Sequence, residues 1–376
     1  MKHFLAAAAI ALTAIGAFAQ GSVTLPPSGG NERAGVIQQI GPVKVSIDYS
    51  SPHVHSPQGE DRKGKIWGTL VPYGLTNLGF GTCKECPWRG GANENTVFTT
   101  SQDIVVQGQK LPAGSYALFY ITDPNEWTAI FSKNHTSWGS FFYDPAEDAL
   151  RVKVKPEKSE YREVLTYDFT ERKGDAATLA MKWEELSAPL QITVPNAADL
   201  YLAEIGHELR SSPGFTYENW AAAAQYAIGQ KRPTEALQWA EAAAHAPQGI
   251  GHETFGTLMT LATAQELAGK TADAAATRDK AMNHPTATPT DIHQFGRLLL
   301  TQKKKDDAIK VFEFNAKRFP NAWPVNVGMA RASSAKGNYA EAVKYAKAAL
   351  AQVPDPGSKK LLEGQIAKLE AGQDIN

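Results

Sequence analysis

Cys83-Lys-Glu-Cys86 places two sulfurs on one short turn, and they are the only cysteines in a chain of 376 residues. This spacing can close a small disulfide, ligate a soft metal or run thiol exchange. Haem attachment is removed from that set because Pro87 stands where it requires His. Thiol exchange favours a helix N-terminus, whereas this pair sits in a Gly-rich loop among strands. An exported cysteine pair oxidises, so a disulfide that staples the loop is the first expectation, with metal ligation and redox chemistry as alternatives.

His53 and His55 are two residues apart, which on an extended strand points both imidazoles to one face. Together with Cys83 and Cys86 they would complete a tetrahedral site for zinc, or for copper(I), if the two loops met. The plainer expectation is a pair of surface histidines and no cofactor. Arg89, Asn93 and Glu94 form a dense polar cluster, and Gly90 and Gly91 let backbone approach closely. A planar guanidinium beside a carboxylate and an amide suits an anionic or hydroxylated ligand, and Glu94 has the chemistry of a general base. Tyr73 joins this candidate ligand set. The structural alternative pairs Arg89 with Glu94 to hold the loop while Trp88 plugs the core. No Ser-His-Asp order, phosphate-cradling loop or His-Glu-x-x-His helix is visible, so no catalytic residue is assigned and binding is expected over catalysis.

The elements that must position these residues fall into two kinds. From Val43 to Val194 short β-branched and aromatic runs, such as Val43–Tyr49, Ser115–Ile121, Trp127–Phe131 and Leu190–Val194, alternate with turn residues. Around ten short antiparallel strands are expected, packed as a β-sandwich. Arg151-Val-Lys-Val-Lys155 reads as an outer strand with Val152 and Val154 turned inward. Trp67, Trp88, Trp127 and Trp183 read as core. Trp138 is expected to be packed, with an exposed stacking face for sugar as the alternative.

Beyond Pro195 the sequence is Ala-rich and helical. Ala236, Ala274, Ala308 and Ala342 mark the second helix of four hairpins, spaced by 38, 34 and 34 residues. That period, with Phe295, Gly296, Phe312 and Pro320 in the third unit and Gly337, Ala346, Ala349 and Pro354 in the fourth, resembles tetratricopeptide repeats. Trp220 supplies the first unit's aromatic, while the second unit departs by carrying Arg278 at an apolar position. Lys360 to Leu369 is expected to close the stack. Such a solenoid presents a groove to a protein or peptide partner.

Lys2 followed by an apolar run from Phe4 to Phe18 and Ala17-Phe-Ala19 has the layout of a secretory signal cut after Ala19. A periplasmic or extracellular location follows, with no membrane-spanning segment after cleavage. Lys plus Arg number 38 against 39 Asp plus Glu, so no basic excess supports nucleic-acid binding. The expected organisation is a signal peptide at 1–19, a flexible leader at 20–35, a β-sandwich at 36–195, a linker with helical character at 196–214, and helical repeats with a closing helix at 215–376.

Ser50-Ser-Pro52, Lys65-Ile-Trp-Gly68, Leu70-Val-Pro-Tyr-Gly74, Trp88-Arg89, Gly91-Ala-Asn-Glu94, Leu111-Pro-Ala-Gly-Ser-Tyr116 and Trp127-Thr-Ala-Ile-Phe131 together resemble the secreted bacterial domain-of-unknown-function family 2911, over roughly Val45 to Val194. The resemblance implies an exported β-sandwich, often joined to helical repeats, and no established reaction. Two stretches depart from it: His53 to Asp61, and Leu75 to Pro87. Both carry the potential metal ligands, so a site built from them would belong to a subgroup only.

Overall fold

Strand β1 runs Glu32–Ile40 and returns through Gly41, whose φ of 57° makes the left-handed turn, into β2 at Val43–Ser51. The computed structural model describes residues 31–376. The expected signal at 1–19, its cut after Ala19, and residues 20–30 of the leader lie outside the described residues. The leader ends sooner than the expected boundary at 35, because Glu32 to Gly35 already pair with Asp48 to Ser51.

Eight further strands follow: β3 Val97–Thr100, β4 Ile104–Val106, β5 Gln109–Leu111, β6 Gly114–Ile121, β7 Trp127–Ser132, β8 Asp148–Val154, β9 Glu157–Thr170 and β10 Ala176–Thr193. They make two antiparallel sheets, β1-β2-β3-β6-β7-β8 and β5-β4-β10-β9. The strands are not uniformly short, because β9 and β10 run 14 and 18 residues and are bent by register shifts around Glu184. The sheets face each other as a sandwich, with Tyr49 of β2 edge-on to Tyr167 of β9 at 4.9 Å. Alternation is clean in β2, where Val43, Val45 and Ile47 are fully buried, and in edge strand β8, where Val152 and Val154 turn in and Arg151 and Lys153 turn out. Strands β6 and β7 are covered on both faces. Cys83, Cys86 and Tyr143 close over Ala117, Phe119 and Ile130 on the side away from the other sheet.

A second compact unit takes residues 198–376. Helix α1 (Ala197–Glu208) precedes four hairpins: α2 Tyr217–Gly229 with α3 Pro233–His245, α4 Phe255–Leu267 with α5 Thr271–Asn283, α6 Pro289–Thr301 with α7 Lys305–Arg318, and α8 Trp323–Ala335 with α9 Tyr339–Leu350. Helix α10 (Pro356–Glu370) covers the last hairpin with Leu362, Ile366 and Leu369 buried. Each hairpin turns through one left-handed residue, Lys231, Gly269, Lys303 and Gly337, which repeat the 38, 34, 34 spacing. Ala236, Ala274, Ala308 and Ala342 are all buried where paired helices approach. These equivalences make the unit a tetratricopeptide-type solenoid. Arg278 keeps the second hairpin in the series by reaching outward, pairing with Glu266 at 2.7 Å and lying 5.8 Å above the Phe295 ring. Among the described residues no helix is long and apolar enough to cross a membrane.

Phe312 fills the space left open by Gly296 and Gly328, since a Cβ on either glycine would strike its ring. Phe312→Ala should therefore cost about 3–5 kcal/mol, and Gly296→Ala, which overpacks the same spot, about 1–3 kcal/mol, read as urea unfolding of the helical signal. A loss under half a kcal/mol from both, on the order of a surface change, would remove Phe312 as the keystone. His293 stacks on the same ring, and burial, reinforced by the Arg331 and Arg297 guanidiniums, pushes its imidazole down to about 4. The unfolded chain takes up this proton first as pH falls. Stability from neutral His293 is therefore full above about pH 6.5 and drains away toward pH 4. Between those limits His293→Leu should lose up to about 3 kcal/mol less than the parent, and equal pH slopes in the two proteins would refute the assignment.

Candidate functional site

Trp88 pairs with β6 through two backbone hydrogen bonds to Tyr120, of 2.8 and 2.7 Å, and its ring stacks on Trp183 of β10 at 6.2 Å. Its position is thereby tied to both sheets, and Arg89 and Asn93 emerge from it in a fixed place. Gly90 is needed here: at φ 62° it brings its carbonyl to the Tyr167 hydroxyl, which donates to it at 2.7 Å, and an added Cβ would sit 2.7 Å from that oxygen.

Arg89 and Asn93 line a cavity of about 370 Å³ in the β-rich unit. Asn31 and Arg62 add polar groups to its wall, while Leu70, Leu78, Pro87, Trp88 and Trp183 supply apolar surface. The Arg89 guanidinium donates through Nη1 to the Asn93 carbonyl, lies flat against Gly139 and sits 5.2 Å above the Phe141 ring. Burial pushes its pKa below the ordinary value, and no carboxylate among the described residues offsets that cost. Asn93 adopts φ 55° and accepts from Asn31 Nδ2 at 3.1 Å through its side-chain oxygen. Trp183 is 1% exposed, and its Nε1 donor has no hydrogen-bond partner. In sum, the cavity wall carries two arginines: Arg62 lies 4.0 Å from Glu60, while Arg89 meets no carboxylate among the described residues.

The other candidates are placed differently. Glu94 does not pair with Arg89; it accepts from Ser50 Oγ at 3.1 Å and meets Arg33 at 3.4 Å, outside the cavity wall. Tyr73 packs its ring over Gly68 and is 43% exposed, also outside the wall. Trp138 is 55% exposed rather than packed.

The four proposed metal ligands do not meet. Cys83 and Cys86 are joined in a disulfide and buried against β6 and β7. His55 is held by Glu163, which accepts from its backbone N–H at 2.9 Å and contacts Nδ1 at 3.0 Å, and His53 Nε2 lies 3.4 Å from Glu32. Burial opposes ionisation of Glu163, yet the Tyr161 hydroxyl and His55 together draw its pKa down to about 2. Among the described residues no group of three or more His, Cys, Asp and Glu could hold a metal ion. The disulfide also leaves no thiol for exchange and is covered, so the metal and redox readings of His53, His55, Cys83 and Cys86 are corrected to structural bracing.

Sequence reasoning missed Asn31, assigned to the leader, and Arg62 and Trp183, which lie far from Arg89 along the chain. The unsatisfied indole could not be read from the sequence, because it depends on what packs beside β10.

In the helical unit the first helices carry a register-equivalent series, Gln225, Thr263, Arg297 and Arg331, with the first three exposed. Gln225 Nε2 reaches Thr260 Oγ1 at 3.4 Å from α2 to α4, and Arg331 faces His293 from α8 to α6.

No curated protein matches this sequence. Solved structures similar to it include MamA, 17% identical, covering 45% of this chain and 92% of that chain with a TM-score of 0.30. PilF of Pseudomonas aeruginosa is 17% identical, covering 46% and 78%, with a TM-score of 0.30. YrrB, described as a TPR protein with an unusual peptide-binding site, is 17% identical, covering 45% and 84%, with a TM-score of 0.28. Residues 31–192 match the family described as Protein of unknown function (DUF2911), so the similarity takes in β1 and Asn31 as well as the stretch from Val45 onward.

Proposed function

We propose that this is an exported binding protein of the periplasm or cell exterior, whose helical repeats take a protein or peptide partner and whose β-sandwich holds a small ligand. The observation that carries the reading is the equivalent placement of Gln225, Thr263, Arg297 and Arg331 on successive first helices. Side chains repeated at one register along stacked hairpins offer an extended chain a periodic set of contacts. The cavity beside Arg89 supports the second half of the reading, because its size and mixed lining suit a small molecule. Binding is favoured over catalysis because Glu94, the one carboxylate proposed as a base, turns away from the cavity. No cofactor enters this reading.

Peptides selected from a random display library on the full chain should lose at least about tenfold in affinity with Arg297→Glu. Lys310→Glu on α7, where the side chain is 77% exposed, should leave them unchanged. Failure to select any peptide, or equal loss from both charge reversals with unaltered circular dichroism, would count against the repeats as the binding surface.

A further inference from the structure

We infer that the cavity beside Arg89 binds a small organic acid, a single carboxylate attached to an apolar body. This rests on the small-ligand reading of the β-sandwich and narrows it to a chemical class.

Two independent observations converge. The first is charge. The Arg89 guanidinium is pushed into a desolvated position by its stacking between Gly139 and Phe141, yet among the described residues it has only the Asn93 carbonyl as a partner and no acid to neutralise it. A half-buried cation without its anion carries a desolvation cost, and a ligand carboxylate supplies the missing charge. A neutral polyol leaves the guanidinium uncompensated, whereas a carboxylate answers it.

The second is the rest of the wall. Leu70 and Leu78 line the cavity and stay 46% and 38% exposed, and Pro87 and the Trp88 ring continue the same apolar surface. A bare inorganic anion would leave this surface wet, so an acid with a hydrocarbon or aromatic body fits where phosphate does not. The volume of about 370 Å³ accommodates a molecule of a dozen or so heavy atoms.

The test is intrinsic tryptophan fluorescence and thermal shift of the full chain, titrated with phenylacetate and 4-phenylbutyrate, their primary amides, inorganic phosphate and galactose. The two acids should saturate the signal and raise Tm, with the amides and phosphate at least about tenfold weaker. Arg89→Met should weaken the acids at least about tenfold while leaving the amides within about twofold. Equal binding of acid and amide, or binding of galactose or phosphate in preference to both acids, would overturn the carboxylate assignment while leaving a small-ligand cavity intact. No binding by any probe up to about 10 mM would sink the small-ligand reading itself.

Discussion

Four indoles hold the β-rich unit to one arrangement. Trp67 lies 4.9 Å from Trp127, 5.7 Å from Trp88 and 5.8 Å from Trp183, so a loop, a bridge strand and both sheets meet in one aromatic cluster. Each such side chain removes a large apolar area from water, and edge-to-face contact adds directionality that aliphatic packing lacks. The polar ends of these rings are treated unequally. Trp127 donates to the Asp123 carbonyl at 2.7 Å, while Trp67 and Trp183 have no partner. The same cluster that fixes the sandwich therefore sets the position of Arg89, one residue beyond Trp88, at the wall of the cavity.

The helical unit is governed by a different constraint, repeated rather than centralised. A small residue at one point of each second helix permits close approach, and a left-handed residue closes each hairpin. Glycine meets the second demand without strain at 269 and 337, whereas Lys231 and Lys303 adopt φ of 57° and 62° despite their side chains. The bulky position is filled by Phe312 in one repeat and by Arg278 in another, and the arginine works because Glu266 and the Phe295 ring receive its charge. Stack geometry thus tolerates a change of chemistry when the charged tip can reach solvent and a partner.

Much of this was legible in the chain. Strands such as β2 and β8 announce themselves by alternation, because one face is dry and the other wet, and the hairpins by their recurring alanines. Strand β1 was not legible: it is an edge strand with Ile37 63% exposed, and its pairing is carried by backbone rather than by a buried face. The site was half legible. Arg89 and Asn93 lie close together in sequence and were found, but their neighbours Asn31, Arg62 and Trp183 are brought in by folding. Two-residue spacing suggested that His53 and His55 share a ligand, whereas each is drawn to a different carboxylate, Glu32 for one and Glu163 for the other. Trp138 is 55% exposed, and the next residue, Gly139, packs against the Arg89 guanidinium.

The loop from 75 to 87 does two jobs at once. Its crosslinked cysteines roof the outer side of β6 and β7, while Leu78 and Cys86 in the same stretch form part of the cavity wall. One crosslink therefore braces both the outer cover of a sheet and the edge of the cavity, so a shift of the roof carries the cavity wall with it.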